Sequence, residues 1–211
     1  RLYINPLSQL LKTVVTQVKR EDYAFTITQT AYAELQHFID SLNVVFHHIA
    51  EQLSQNTLLK DFNIILRKND STDRLCNEVT QFLLHQFPLE MVGMYIYQEG
   101  VLKRVAGVGY GEHSAREYTD PSSTQLSVLL SGQPYAMKAL DGNCHIEFNG
   151  GKLVINEVYY LPLHVNQHPV ALLELGTIGS LSSLQFQWLS QMLDDLSVSI
   201  QLSQNIEIQR R

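Results

Sequence analysis

Cys144 is followed directly by His145, which places a thiol nucleophile beside an imidazole able to donate or accept a hydrogen bond. Tyr95 and Tyr97 share one face of an apolar run, and Tyr159 and Tyr160 lie on another. Aromatic residues on strands usually cover a sheet, but these four phenols can also line a pocket for a small molecule. His164 and His168 flank a turn and can approach each other across a hairpin. No carboxylate or thiol stands at ligand spacing beside them, so no metal site is expected. His47 and His48 fall in a helical stretch beside Asn43 and Glu51 and read as a solvated face. Gly107, Gly109 and Gly111 surround Tyr110 in a glycine-rich loop, yet no Lys-Ser or Lys-Thr follows to cradle a phosphate. Only Cys76 and Cys144 are present, too few for a disulfide framework or a four-thiolate zinc site. No catalytic set emerges, and no cofactor is required.

The elements that must position these groups come in two styles. The chain has 211 residues and net charge −6, which argues against a basic surface for nucleic acid. No apolar run approaches the roughly 20 residues that span a bilayer, and the N-terminus lacks the apolar core of a signal peptide. A start at Arg1 and an end inside a helical pattern read as a fragment of a longer protein. Up to Asn69 there are seven Lys or Arg against six Asp or Glu; beyond it, eight bases face fifteen acids. All 11 glycines lie from Gly93 onward. A glycine-free helical leader therefore precedes a turn-rich domain.

In the leader, Leu7, Leu11, Val14 and Val18 follow Pro6 at helical spacing. Tyr23, Phe25 and Ile27 then alternate, as an extended connector with one buried side does. Leu35, Phe38, Leu42, Val45 and Ile49 restart a narrow stripe that suits a coiled-coil seam better than a broad core. Continuing that stripe places Gln52 and Asn56 at core positions, while Phe46, Ile49 and Leu53 form a competing seam. Leu59, Phe62 and Leu66 resume regular spacing beyond Ser54 to Thr57, so the heptad phase breaks there. That break reads either as an ordinary stutter or frayed helix, or as a junction that passes helix rotation onward.

From Asp70 the pattern becomes mixed. Asp70, Ser71 or Thr72 can cap a helix carrying Leu75, Val79, Phe82 and Leu83. Val92 to Tyr97 and Val101 to Val105 form a hairpin pattern, and Thr124 to Leu130 has helical spacing ended by Gly132 and Pro134. Val158 to Val165 and Val170 to Leu175 make the clearest hairpin, its second strand almost wholly apolar as a central strand should be. Ser182 or Ser183 caps a final helix with the stripe Leu189, Leu193, Leu196 and Ile200, a further seam for dimerisation. The expected class is α+β, a helical coiled-coil segment followed by an antiparallel sheet flanked by helices.

Residues Ile4 to Leu53 resemble a HAMP domain. Pro6 opens the first helix, Tyr23 to Ile27 stands at the connector anchors, Glu34-Leu35 begins the second helix, Leu42-Asn43 matches its Phe-Asn pair, and Ala50 to Leu53 closes it. Glu21 or Asp22 replaces a usual connector glycine, and Gln36 replaces another. Residues from Asp70 to Gln204 resemble a GAF domain of bacterial sensor kinases, through Gly93 to Tyr97, Tyr160 to Leu163, Val170 to Gly176 and the helix around Phe186 to Ile200. Ile146 to Gly151 sits where that subgroup carries a small-residue loop.

These resemblances imply a HAMP-like dimeric helical domain at 1–53, a connecting signalling helix at 54–69, a GAF-like domain at 70–204 and an outgoing helix from 205 to 211. They imply a parallel homodimer whose seam is built from Leu7, Leu11, Val14, Val18, Leu35, Phe38, Leu42, Val45, Ile49, Gln52 and Asn56. They also imply a membrane helix before Arg1, an output domain after Arg211, and a place on the cytoplasmic side of a bacterial inner membrane. The implied role is a non-enzymatic signal relay in a sensor, foremost a two-component histidine kinase. None of the eight histidines is followed by Glu as a kinase phosphoacceptor would be, so kinase chemistry is expected outside this chain. The alternative is a GAF domain sensing its own small ligand or chromophore, with Tyr95, Tyr97, Cys144, His145, Tyr159 and Tyr160 as pocket candidates. Cys144-His145 has a superficial likeness to the bilin-attachment dipeptide of photoreceptor GAF domains, but leads into a Gly150-Gly151 turn, so a structural role and no colour are expected. The cyclic-nucleotide signature ending in Phe-x-x-x-Asp-Glu is missing. An enzyme of the methionine sulfoxide reductase kind is disfavoured, because Cys76 and Cys144 lie in unlike contexts.

Overall fold

The structure is a computed structural model that describes residues 4–27, 33–68, 71–111, 114–138, 145–148 and 151–210. The chain divides into two compact units, Arg1–Leu58 and Leu59–Arg211. Among the described residues no helix is long and apolar enough to cross a membrane.

In the first unit, helix α1 spans Ile4–Lys19 and helix α2 begins at Ala33, running on to Lys68. Helix α1 ends in a turn at Arg20 and Glu21, where the amides of Glu21 and Asp22 donate to the carbonyls of Val18 and Gln17. Glu21 holds the left-handed conformation, φ 56°. Of the two positions, Glu21 and Asp22, at which a glycine is expected, Glu21 is the one whose side chain at positive φ crowds the neighbouring carbonyl. Glu21→Gly is expected to stabilise the leader by about 0.5–1 kcal/mol, read as a higher urea midpoint with an unchanged slope.

The connector alternates as its sequence suggests. Tyr23, Phe25 and Ile27 are partly buried between exposed Ala24 and Thr26. The Phe25 and Tyr23 rings pack at 4.9 and 6.5 Å from the Phe46 ring. Asn43 clamps the connector backbone: its Oδ1 accepts from the Ile27 amide at 2.9 Å and its Nδ2 donates to the Ile27 carbonyl at 3.2 Å. An amide side chain is suited to this because it offers a donor and an acceptor to one residue.

Within this unit α2 buries Ile39 (0% exposed) and Phe46 (4%) against its own chain, while Phe38 and Val45 of the expected seam between chains are each 51% exposed. Leu42 and Ile49 are partly buried, and Gln52 and Asn56 are exposed. On α1, Leu11 and Val18 are exposed and Val14 is partly buried. The side chains of Leu7 and Leu35 lie outside the described residues. Helix α2 continues without interruption through Ser54 to Thr57, so no fraying accompanies the change of hydrophobic phase. His47 pairs with Glu51 at 3.2 Å on the exposed face.

In the second unit, helix α3 spans Thr72–Gln86 and leads into strands β1 (Met91–Gln98) and β2 (Val101–Val108). Strand β3 is Glu117–Tyr118, helix α4 is Thr124–Ser131, and strand β4 is Tyr135–Lys138. Strands β5 (His145–Phe148) and β6 (Gly151–Val154) make a separate two-stranded sheet. Strands β7 (Glu157–Val165) and β8 (His168–Thr177) precede helix α5 (Ser183–Arg210). The main sheet is antiparallel with order β3-β2-β1-β8-β7-β4, and the fold is α+β as expected.

Strand β8 sits centrally and is buried from Val170 to Thr177. Helices α3 and α5 cover one face of the sheet; helix α4 packs on β7 and β8 from the other. Leu75, Cys76, Val79 and Leu83 of α3 and Leu189, Leu196 and Ile200 of α5 are buried. This corrects one expectation: Leu189, Leu196 and Ile200 of the proposed α5 seam are core, and Leu193 is partly buried. Both uses demand the same helical period, so spacing could not separate them. The free apolar stripe of α5 is Val198, Leu202 and Ile206.

Helix ends are fastened in two ways. Ser182 accepts from the Gln185 amide while Gln185 Oε1 accepts from the Ser182 amide, a reciprocal cap on α5. Ser71 stands at the start of α3 but makes no side-chain cap. Instead Glu207, near the far end of α5, accepts from the Thr72 amide at 2.8 Å. A carboxylate there also suits the positive end of the helix dipole.

Candidate functional site

On the α4 face of the sheet one residue breaks the apolar surface. Glu174 lies in the middle of β8 and is 6% exposed. Antiparallel pairing puts it opposite Gly93 of β1 and Tyr160 of β7. Two positions along β1, Tyr95 pairs with Leu172 of β8 and with Arg104 of β2, so Glu174, Tyr95 and Arg104 share this face. Gly93 also pairs with Gly107, leaving a bare strip of backbone beside the carboxylate.

Tyr110 fills that strip. A Cβ on Gly93 would lie 2.0 Å from its hydroxyl oxygen, and one on Gly107 would lie 3.1 Å from its ring. Tyr110 donates to Glu174 Oε2 at 2.9 Å, and Tyr95 donates to the same oxygen at 2.7 Å. The Arg104 guanidinium stacks 3.7 Å from the Tyr110 ring centre and stands 5.9 Å from that of Tyr95. Its Nη2 donates to Ser114 at 2.9 Å, while its buried Nη1 has no hydrogen-bond partner among the described residues. Tyr118 completes the cluster, 5.8 Å from Tyr95 between ring centres.

Burial pushes the hydroxyls of Tyr95 and Tyr110 far up from the ordinary tyrosine value, and the Glu174 charge adds to it. Tyr118 is raised by burial in the same way. These phenols stay protonated and act as donors, so the arrangement holds two donors on one carboxylate and a flat ring under a guanidinium. Among the described residues of the cluster there is no activated nucleophile.

The residues singled out from the sequence separate. Tyr95 and Tyr160 are buried in the apolar cluster under α4, with Tyr97 packed against it. Tyr160 stacks on Tyr135 at 6.4 Å. Tyr159 points to the other face, 6.2 Å from Phe186, in a separate apolar groove of about 480 Å³ with Pro134, Tyr135 and Leu181. Strand β5 carries His145 in register with Val154, but its side chain, like Cys144, lies outside the described residues. Cys76 is fully buried, and desolvation pushes its thiol up to about 12, which removes it as a reactive thiolate. His164 lies opposite Pro169 and His168 opposite Val165. Among the described residues no three metal-ligating side chains converge.

Glu174, Tyr110 and Arg104 escape a reading of spacing alone. Their one visible signal is a single acid within the apolar β8 run, together with a tyrosine between glycines.

No known family profile matches the chain by sequence, and no curated protein matches it by sequence either. Solved structures do share the fold. The GAF domain of a phosphoenolpyruvate-protein phosphotransferase from Coxiella burnetii is 9% identical, with TM-score 0.60 over 72% of this chain and 96% of that one. Free methionine-R-sulfoxide reductase from Neisseria meningitidis is 11% identical, with TM-score 0.56 over 72% and 90%. The phycoerythrobilin-bound GAF domain of a cyanobacterial phytochrome is 14% identical, with TM-score 0.54 over 72% and 97%. The described domain therefore has the GAF fold, a scaffold these proteins put to different uses.

Proposed function

We propose that this chain is a signal-relay and sensory module of a bacterial sensor protein, with a HAMP-like leader feeding a GAF-fold domain. In this reading it works as a parallel dimer, receives its input from a membrane helix and drives an output domain of the histidine kinase class. The observation that carries the reading is the placement of unpartnered apolar residues on the two longest helices: Phe38 and Val45 on α2, and Val198, Leu202 and Ile206 on α5. Such stripes lie on the outer faces of α2 and α5, while Ile39, Phe46, Leu196 and Ile200 are already buried within the chain. A second copy covers the stripes by symmetry and brings two outgoing helices together. Gln52 and Asn56, exposed in α2, then lie where the α2 stripe meets the polar junction, and a change of helical phase there is the relayed event.

The fold alone leaves an enzymatic reading open, but the inert burial of Cys76 weighs against a thiol reductase. Sedimentation at micromolar concentration is expected to show a dimer. Val45→Asp is expected to raise its dissociation constant at least about a hundredfold, because it buries an unpaired charge at the seam. Helical content should not change, since Val45 is half exposed in the single chain. A monomeric wild type, or a Val45→Asp protein that dimerises as before, refutes the relay reading.

A further inference from the structure

We infer that the seat of Tyr110 is a ligand-binding site whose resident occupant is the protein's own side chain, and that its external ligand is a planar aromatic molecule with a hydroxyl or N–H donor at its far end. The inference goes beyond the relay reading and does not depend on dimerisation.

Four features define the seat. Gly93 and Gly107 clear the floor for a ring. Glu174, more than nine-tenths buried, offers an acceptor at the inner end. Arg104 lies over the outer face of the ring. Its Nη1 donor is buried with no partner among the described residues, a state that buried polar groups rarely hold. A ring that reproduces the Tyr110 contacts and adds an acceptor toward that nitrogen binds more favourably than Tyr110 itself. The backbone that carries Tyr110 is permissive on both sides, with Gly109 at φ 84° and open space around Gly111. A cleft of about 330 Å³ lined by Arg104, Gly109, Gly111 and Arg116 lies alongside.

The inner end of the seat sets the chemical class. Tyr95 already donates to Glu174 Oε2, so an incoming group must donate as well, and an acceptor there meets a carboxylate. Anionic ligands are rejected at this end, and purely apolar rings leave Glu174 short of a partner.

The test is chemical rescue with 4-methylphenol, which is the tyrosine side chain as a free molecule, against toluene, which lacks the donor. In Tyr110→Ala, 4-methylphenol at about a hundredfold excess over its dissociation constant is expected to raise Tm by several degrees. Toluene is expected to bind at least about tenfold more weakly. Wild type should need at least about tenfold more 4-methylphenol for half-saturation, because the tethered phenol competes at high effective concentration. Adding Glu174→Leu to Tyr110→Ala should erase the preference for 4-methylphenol. Equal binding of the two probes, or no shift by either in folded Tyr110→Ala, overturns the inference. If Tyr110→Ala does not fold, Tyr110→Phe replaces it: its weakened plug should let 4-methylphenol half-saturate severalfold below wild type, and identical behaviour overturns the inference.

Discussion

Gly93→Ala is expected to unseat Tyr110 and destabilise the sheet domain by about 2–3 kcal/mol. The added methyl falls 2.0 Å from the Tyr110 hydroxyl. Strand β1 cannot shift to make room, since Gly93 is paired on both sides, to Gly107 and to Glu174. The far end of the tyrosine gives way instead, and the domain loses the bond to Glu174 together with the packing under Arg104. Tyr110→Ala alone should also destabilise, but the double variant should be little worse than Tyr110→Ala, a coupling of at least about 1 kcal/mol. Urea titrations of the four proteins check this. Additive losses, or a Gly93→Ala midpoint equal to wild type, would show that the ring does not occupy that strip in solution.

Glu174→Ala should cost more, about 3–5 kcal/mol. The substitution strands two phenol hydroxyls that share one carboxylate oxygen, and Tyr95, with no solvent exposure, cannot turn to water. It also leaves a hole in the central strand. Glu174→Leu fills most of that hole and isolates the polar cost. Replacing Tyr95 and Tyr110 by Phe in the Glu174→Leu background should then recover about 1–3 kcal/mol, because buried polar groups are costly only when their partners are gone. If the triple variant is no more stable than Glu174→Leu, the hydroxyls are not what Glu174 holds.

Much of this architecture was legible in the residues. The apolar run of β8, the turn before it and the end of α4 at Gly132 are local signals, and each marks the element seen in the structure. The connector alternation at Tyr23, Phe25 and Ile27 is local as well. What escaped is non-local. Glu174 meets Tyr95 and Tyr110 across 79 and 64 residues of chain, and nothing in an apolar strand announces what one acid will pair with. The four tyrosines read as one pocket fall on both faces of the sheet, because Tyr159 and Tyr160 are consecutive and a strand sends neighbours opposite ways. The stripe on α5 was visible, but its partner was not: a sheet and a second helix ask for the same spacing. Likewise Ser71 looked like a cap, while the group that serves the Thr72 amide is 135 residues away.

That last contact has a topological consequence. Thr72 and Glu207 are hydrogen-bonded at 2.8 Å, so the stretch between them is a closed excursion that returns the chain to where it left. A segment whose ends meet imposes almost no spacing on whatever is spliced to either side. It can be gained, lost or exchanged within a longer polypeptide without moving the flanking parts relative to each other, and its ends can be joined by a short linker while new termini are opened in an exposed turn such as Asn166-Gln167. The carboxylate of Glu207 thus acts as a clasp that makes this part of the molecule transplantable.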